Sequence, residues 1–319
     1  MENSKIRNIL MLFVFLCACI GVFFYCRGYV FNEWDYSISD DEITINGYNG
    51  RKKNLVIPSK ISGMPVVDVN GLKFKHKRTK DKLESVKIPG SVKIIFNSFD
   101  EMPKLKSVEL GDGIEAIWAG SFRNCDSLSE ITIPDSVERI GTADANDTRC
   151  TFSECDALKN VKFNEEKVEL TGCCFKNTPW LESKKNGEPY AIINESVIGG
   201  SKTEGAVVID KGNKIADMTF VDNDKITDVT ICSNINSIEF AAFFKCDSLK
   251  NVVIEDGVKN IDALAFDKCP SLKQITIPDS VVSIDRNAFD ENNIKILCSS
   301  GSVAQKYAEE NGIEYEIVG

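Results

Sequence analysis

A spacing constrains this chain more than any other feature. The segment FDKCPSLKQITIPDSVVSIDRNAF runs from Phe266 to Phe289, so the same residue type returns after 23 positions. Counting from Phe266, Cys269 stands at +3, Leu272 at +6, Ile275 at +9, Ile277 at +11, Pro278 at +12, Val281 at +15 and Ile284 at +18. That order of residue types recurs along most of the sequence. A fixed period of roughly 20–50 residues marks a stack of structural repeats.

The first regular copy opens at Phe99, with Leu105, Val108, Leu110, Ile114 and Ile117 in place, and Phe122 follows after 23 residues. Phe122 leads Cys125, Leu128, Ile131, Ile133, Pro134, Val137 and Ile140. Phe152 comes 30 residues later, and the seven extra residues fall in the polar stretch GTADANDTRC. Phe152 leads Cys155, Leu158, Val161 and Phe163, with Phe175 again at 23. Phe175 to Phe220 is 45 residues, one short of two periods. The segment KNTPWLESKKNGEPYAIINESVIGG therefore reads as a degenerate unit of the same stack, with a hairpin at Asn194-Glu195. The period then resumes through Phe220, Phe243, Phe266 and Phe289.

Within a unit, Ile or Val at +9 and +11 alternates with polar residues, the mark of a half-buried strand. Proline at +12 ends that strand because it lacks the ladder donor. Asp-Ser turns the chain, Val at +15 and Ile at +18 give a second short extended piece, and a short helical turn carries Phe and Cys inward. Burying Phe, Leu, two Ile and Val contributes roughly 1.5–3 kcal/mol each. Ordering the unit costs about 1.5 kcal/mol per residue, which exceeds that gain. One coil alone is therefore unfolded, and stacking is what makes a core.

Both ends need atypical units, since a stack leaves an open edge and core at each terminus. Tyr36 to about Val69 reads as the N-terminal cap, through YSISDDEITI, the GYNG turn and LVIPSKISGMPV. At the other end Ile294-Lys295-Ile296 is a strand, followed by GSVAQKYAEENG. There Ser302 is the expected N-cap with Gln305 at N3, and Gly312 the stop. Val303, Tyr307 and Ala308 would cover the last coil, and Ile313–Ile317 adds a strand. Ahead of the repeats, Ile9 to Cys26 is 18 residues without a charge. That length suits a spanning helix better than a cleaved leader, and Lys5 and Arg7 place its start on the cytoplasmic side. Leu16-Cys17-Ala18-Cys19 also resembles a lipobox, with Cys19 as the lipidated residue. The expected organisation is 1–8 cytoplasmic, 9–26 a transmembrane signal anchor, 27–35 a linker and 36–319 the repeat domain. That domain divides into a cap at 36–69, repeats at 70–293 with an irregular unit at 176–219, and a cap at 294–319. A secreted chain and a lipoprotein are the alternatives to the membrane-anchored, outward-facing one.

The formal charge of −10 argues against nucleic acid as a partner. His76 is the single histidine, which removes most histidine-based acid–base and metal chemistry. Of twelve cysteines, Cys17, Cys19 and Cys26 lie in the apolar segment, while Cys125, Cys155, Cys246 and Cys269 share the +3 position. No Cys-x-x-Cys pair exists, so the +3 thiols are expected to form a ladder of buried small hydrophobes. Equivalent residues of adjacent coils lie about 5 Å apart, which permits an occasional bridge, and Cys173–Cys174 and Cys150/Cys155 are the pairs to check. Lys73 to Lys82, KFKHKRTKDK, is the only strongly basic run. It is either a patch for an anionic partner, such as an acidic cell-wall polymer, or a solvated loop between coils.

LKQITIPDSVVSIDRNAF and LSEITIPDSVERIG resemble the repeats of the BspA-type leucine-rich repeat surface proteins. The opening ITINGYNG…LVIPSKISGMPV, the NTPWL unit and the closing GSVAQKYAEENGIEYE extend the resemblance over about residues 36–319. It implies a right-handed solenoid with a parallel sheet along one face, displayed on a cell surface and binding proteins or matrix. It supplies no catalytic residues.

No hydrolase, zincin, P-loop or dinucleotide fingerprint is present, and no cofactor is expected. Asp144-Ala-Asn146-Asp147 faintly resembles a calcium loop but lacks the glycine at position six and the glutamate at twelve. Asn146 and Asn194 head glycosylation sequons. The expected binding face comprises the outward neighbours of the strand residues: Glu130 and Thr132, Asn251 and Val253, and Lys273, Gln274 and Thr276. Trp118 and Trp180 are either interface anchors or packing. Non-enzymatic binding of a protein or surface polymer is the leading expectation. A stalk or spacer with no specific partner is the alternative.

Overall fold

The structure, a computed structural model, describes residues 33–142, 149–289 and 294–318. The chain winds into a β-solenoid of about 12 turns. The unit led by Phe243 shows how. Its +8 to +11 residues form the strand Asn251–Ile254, and Val252 and Ile254 point inward while Val253 points out. The chain turns, forms the two-residue strand Asn260–Ile261, turns again, and delivers Phe266 to the core. Each strand pairs in parallel with its counterpart one coil on: Val252 faces Ile275, and Ile261 faces Ile284.

The resemblance led to the expectation of one sheet face, but the described residues carry two. On the first, Gly205–Ile209, Ile226–Ile231, Asn251–Ile254, Gln274–Thr276, Lys295–Cys298 and Glu314–Ile317 make a six-stranded parallel sheet. On the second, Lys214–Ile215, Ser237–Ile238, Asn260–Ile261 and Ser283–Ile284 continue a sheet from the hairpin Ala191–Ile193/Ser196–Ile198. The +18 isoleucine anchors each short strand, and its polar neighbour stays outside. The backbone of both residues is left to pair with the coil above and below, which satisfies its donors and acceptors.

Phenylalanines form the third side. Phe99, Phe122, Phe152 and Phe175 stack at 5.2–5.4 Å, and Phe220, Phe243, Phe266 and Phe289 at 4.7–5.4 Å, with rings within 12° of parallel. These spacings follow the strand-to-strand distance. The segment around each Phe is not the helical turn expected from its sequence. Around Phe99, Phe122, Phe220, Phe243 and Phe266 the residues two before and two after take positive φ, as at Met218 and Asp222, Ala241 and Lys245, and Leu264 and Lys268. Two left-handed residues reverse the chain tightly enough to point the ring at the axis.

Immediately before each Phe stands a small residue: Ser98, Ser121, Thr151, Cys174, Thr219, then Ala242, Ala265 and Ala288. The polar ones are buried, and all but Thr151, which donates to the nearby Gly141 carbonyl, donate to carbonyls of the preceding coil. Ser98 Oγ reaches the Val69 carbonyl at 3.0 Å, Ser121 Oγ that of Ile95 at 3.0 Å, Cys174 Sγ that of Ile140 at 2.9 Å and Thr219 Oγ1 that of Val197 at 2.8 Å.

The irregular unit divides the solenoid into two stacks. Both sheets are interrupted there, and most buried apolar residues fall into two clusters on either side, with a small third one of Cys150, Cys173, Met218, Val221, Ala241 and Phe244 running across the junction. Trp180, on the helix Pro179–Lys185 capped by Thr178, lies 4.5 Å from Phe175 and closes the first Phe ladder. The second ladder starts against Gly200, where a Cβ would lie 2.1 Å from the Phe220 ring, so no side chain fits. At +3, where four coils have cysteine, the flanking coils have Thr178 and Asn223. Asn223 is fully engaged: its amide donates to the carbonyls of Gly200 and Thr203 at 2.9 and 3.0 Å, and its Oδ1 accepts from the Lys225 and Ile226 amides.

The caps complete the core. Trp34–Ser39 pairs antiparallel with Glu42–Tyr48, which pairs in parallel with Met64–Phe74, a strand that runs across position 69. Trp34, Tyr48 and Phe74 pack ring to ring. At the C-terminus Ser302 accepts from the Gln305 amide at 3.1 Å, and the Gln305 side chain accepts from Gly301 N at 2.7 Å. Tyr307 lies edge-on to Phe289 at 5.8 Å. The covering residues are Ala304, Tyr307 and Ala308, whereas Val303 at the start of the helix points outward. No helix among the described residues is long and apolar enough to cross a membrane, and residues 9–26 lie outside them.

Candidate functional site

Cys125, Cys155, Cys246 and Cys269 are fully buried. Each donates to the carbonyl of the Phe one coil earlier: Phe99, Phe122, Phe220 and Phe243, at 3.0–3.3 Å. The hydrogen-bonded contact with Cys155, together with burial, holds the Cys125 thiol well above its ordinary pKa. Burial pushes the Cys174 thiol up to about 12. A thiol held protonated is a poor nucleophile and a poor metal ligand. The bridge forms elsewhere: Cys150 joins Cys173, while Cys155 and Cys174 are free. Both bonded residues sit two before a Phe, so the bridge links equivalent positions 23 residues apart. The two pairs singled out from the sequence share no such position.

The expected face residues all point away from the axis, but they lie in two places. Glu130 and Thr132 are on the strand Glu130–Thr132 of the first stack. They border a groove of about 440 Å³ against Ser107–Leu110, because these neighbouring strands are not joined in one ladder. Asn251, Val253, Gln274 and Thr276 lie together on the second stack, with Lys273 just ahead of its strand.

Strand register extends that second patch into two rows. One runs Val208, Thr230, Val253, Thr276, Leu297; Val208 is 55% exposed and Val253 43%. The other runs Ala206, Asp228, Asn251, Gln274, Lys295, with Asn251 donating to Asp228 at 2.7 Å. A row of valine, threonine and leucine thus lies beside a mostly polar one. Val208, Thr230 and Leu297 were not selected from the sequence. Their signal was the outward place between two inward residues, as at Val253.

The basic run does not remain a loop. Lys73 and Phe74 finish a strand, and Lys77–Lys80 makes one helical turn. Buried Thr79 donates to the Gly50 carbonyl at 3.4 Å. That contact brings the turn beside Arg51, Lys52 and Lys53, and between them lies a concavity of about 600 Å³. Of the two tryptophans weighed, Trp180 is packing, and Trp118 is half-buried with the Arg139 guanidinium 5.9 Å from its ring. The calcium-like residues 144–147 lie outside the described residues, and the described residues hold no cluster of three or more potential metal ligands.

A sequence pattern described as the BspA type leucine rich repeat region matches residues 76–204 and 210–308, in six copies. The chain belongs to the BspA-type leucine-rich repeat family. Among solved structures this BspA-type chain is similar to a leucine rich cell surface protein from Faecalibacterium prausnitzii A2-165, at 20% identity over 86% of this chain and 95% of that one, TM-score 0.34. It is also similar to the pneumococcal vaccine antigen PcpA, at 15% identity over 90% and 98%, TM-score 0.38. A leucine-rich repeat protein of T. pallidum matches at 20% identity over 90% and 97%, TM-score 0.31. No curated relative matches the chain. The positions that make the BspA-type repeat recognisable are those that point to its axis. What the solenoid can recognise rests on the residues between them.

Proposed function

We propose that this BspA-type solenoid is a cell-surface protein that binds another protein without chemistry, through the first sheet face of its second stack. The observation that carries this reading is the row from Val208 to Leu297. Valine, threonine and leucine side chains there line up coil after coil, with Val208 and Val253 the most exposed, beside a row in which Asn251 donates to Asp228. Solenoid faces of this kind serve as extended binding surfaces, and contiguous exposed apolar surface marks interaction sites. The four ladder thiols are fully buried, so they offer no nucleophile to the surface.

The test compares the immobilised full-length chain with its Val208→Lys/Val253→Lys variant against surface proteins of neighbouring cells. A protein enriched by the first and lost from the second supports the face. Repeated absence of any enriched protein would favour a spacer. The proposed outward topology, with residues 9–26 as anchor, has a separate measurement. Protease added to intact cells is expected to degrade the repeats, and complete protection would rule that topology out.

A further inference from the structure

We propose that the basic concavity at the N-terminal end of the solenoid binds a linear anion bearing closely spaced phosphate groups. This is independent of the sheet face of the second stack. Lys52 and Lys53 each answer a single carboxylate, Glu33 at 2.8 Å and Glu84 at 3.0 Å. Arg51, Lys75, Lys77, Arg78 and Lys82 also line the concavity, are exposed, and make no ion pair among the described residues. Five uncompensated cations thus converge on one spot of a chain whose net charge is −10.

Such a concentration repels itself and is relieved by a multivalent anion, with release of bound counterions. A volume of about 600 Å³ lies in the range of ligand sites, roughly 300–1,000 Å³, and exceeds what one phosphate needs. No Phe, Tyr or Trp lines it, so it offers no platform for stacking bases or sugar rings. Recognition is by charge. Lysine ammonium groups approach tetrahedral phosphate oxygens from any direction, and two arginine forks add bidentate contacts, whereas carboxylate recognition leans on planar arginine pairing. The acidic remainder of the surface confines a polyanion to this end.

Short-chain inorganic polyphosphate is the probe, titrated calorimetrically into the full-length chain in neutral detergent. Saturable binding is expected. With five contacts at about 0.7 each, the affinity falls on the order of 100-fold between 50 and 200 mM salt. The Lys75→Glu/Arg78→Glu variant is expected to bind at least tenfold more weakly with an unchanged melting curve, and the Lys75→Gln/Arg78→Gln variant to fall between. Lys162→Glu, on the exposed first face, should stay within twofold of wild type. The proposal is overturned by absence of binding, by a salt-independent affinity, by equal loss in Lys162→Glu, or by poly-L-glutamate binding as tightly as polyphosphate.

Discussion

Replacing Phe266 by alanine tests the architecture where it is most regular. Phe266 has no exposed surface and sits between Phe243 at 5.1 Å and Phe289 at 5.4 Å, both rings within 4° of parallel. Truncating a buried Phe costs about 3–5 kcal/mol through lost transfer energy and the cavity left behind. Two ring contacts vanish together, so a value near the top of that range is expected. At a urea m-value of about 2 kcal/mol/M, this lowers the midpoint of the second stack by about 2 M. All three tryptophans, Trp34, Trp118 and Trp180, lie in the first stack. Fluorescence therefore reports that half alone, while far-UV circular dichroism reports both. Since the sheets and the two main core clusters break at the irregular unit, leaving only a small cluster across it, the dichroism transition is expected to split, losing its early part at lower urea. The fluorescence midpoint should stay near wild type. An unshifted dichroism curve would refute the core role of Phe266. Coincident shifts in both signals would refute the division into two stacks.

Other perturbations probe the remaining features. Asp217 lies at the junction, where burial, together with the repulsion of Glu239 and against the attraction of Arg139, raises its pKa to about 6. Its folded pKa exceeds the unfolded one, so its contribution is fully present below about pH 4 and is lost as pH rises through 6. Asp217→Asn keeps an acceptor for the Phe240 amide, now at 3.1 Å, and should flatten that part of a stability–pH curve; an unchanged curve would count against the shift. Reducing the Cys150–Cys173 bridge, which closes a loop of 23 residues, is expected to cost about 3 kcal/mol, as read from urea midpoints with and without reductant. Peptide mapping without reductant should recover Cys150 with Cys173, and any bridge to Cys155 or Cys174 would contradict the structure. Lys268 holds φ +54°, a position filled by Asn124 and Asn177 in other coils. Lys268→Asn is expected to raise the second stack's stability by about 0.5 kcal/mol, and a loss in the same titration would contradict the strain argument.

The inward half of this molecule could be read from sequence because side chains of one type must recur where a common axis passes. Phe266, Leu272 and Ile275 state that directly. The second sheet was hidden because its repeat strands in the second stack are two residues long: Ser283-Ile284 shows one inward isoleucine and no alternation. The reversals around each Phe were hidden for a different reason. Lys268, Glu154 and Met218 take conformations normally announced by glycine or asparagine, and the neighbouring coils impose them. The bridge was legible in principle, since applying the 23-residue ruler to cysteines outside the +3 column pairs Cys150 with Cys173. Proximity in sequence pointed to the wrong partners. At the surface, outward positions such as Asn251 and Thr276 were visible as polar gaps between apolar ones. Their continuation through Val208 and Leu297 depends on register between strands. The basic run was conspicuous, but Arg51 joins it only because Thr79 reaches the Gly50 carbonyl.

The pairing of each coil only with its neighbours also fixes how the molecule yields to force. A pull on its two ends acts across the strands, along the direction in which their hydrogen bonds point, and so loads one boundary at a time. Each coil that lets go releases 23 residues, about 75 Å of extended chain, in exchange for a rung of 5.1 Å between Phe243 and Phe266. Extended in a force spectrometer, the second stack should lengthen in near-equal steps of that size, where a jointly locked core would rupture once.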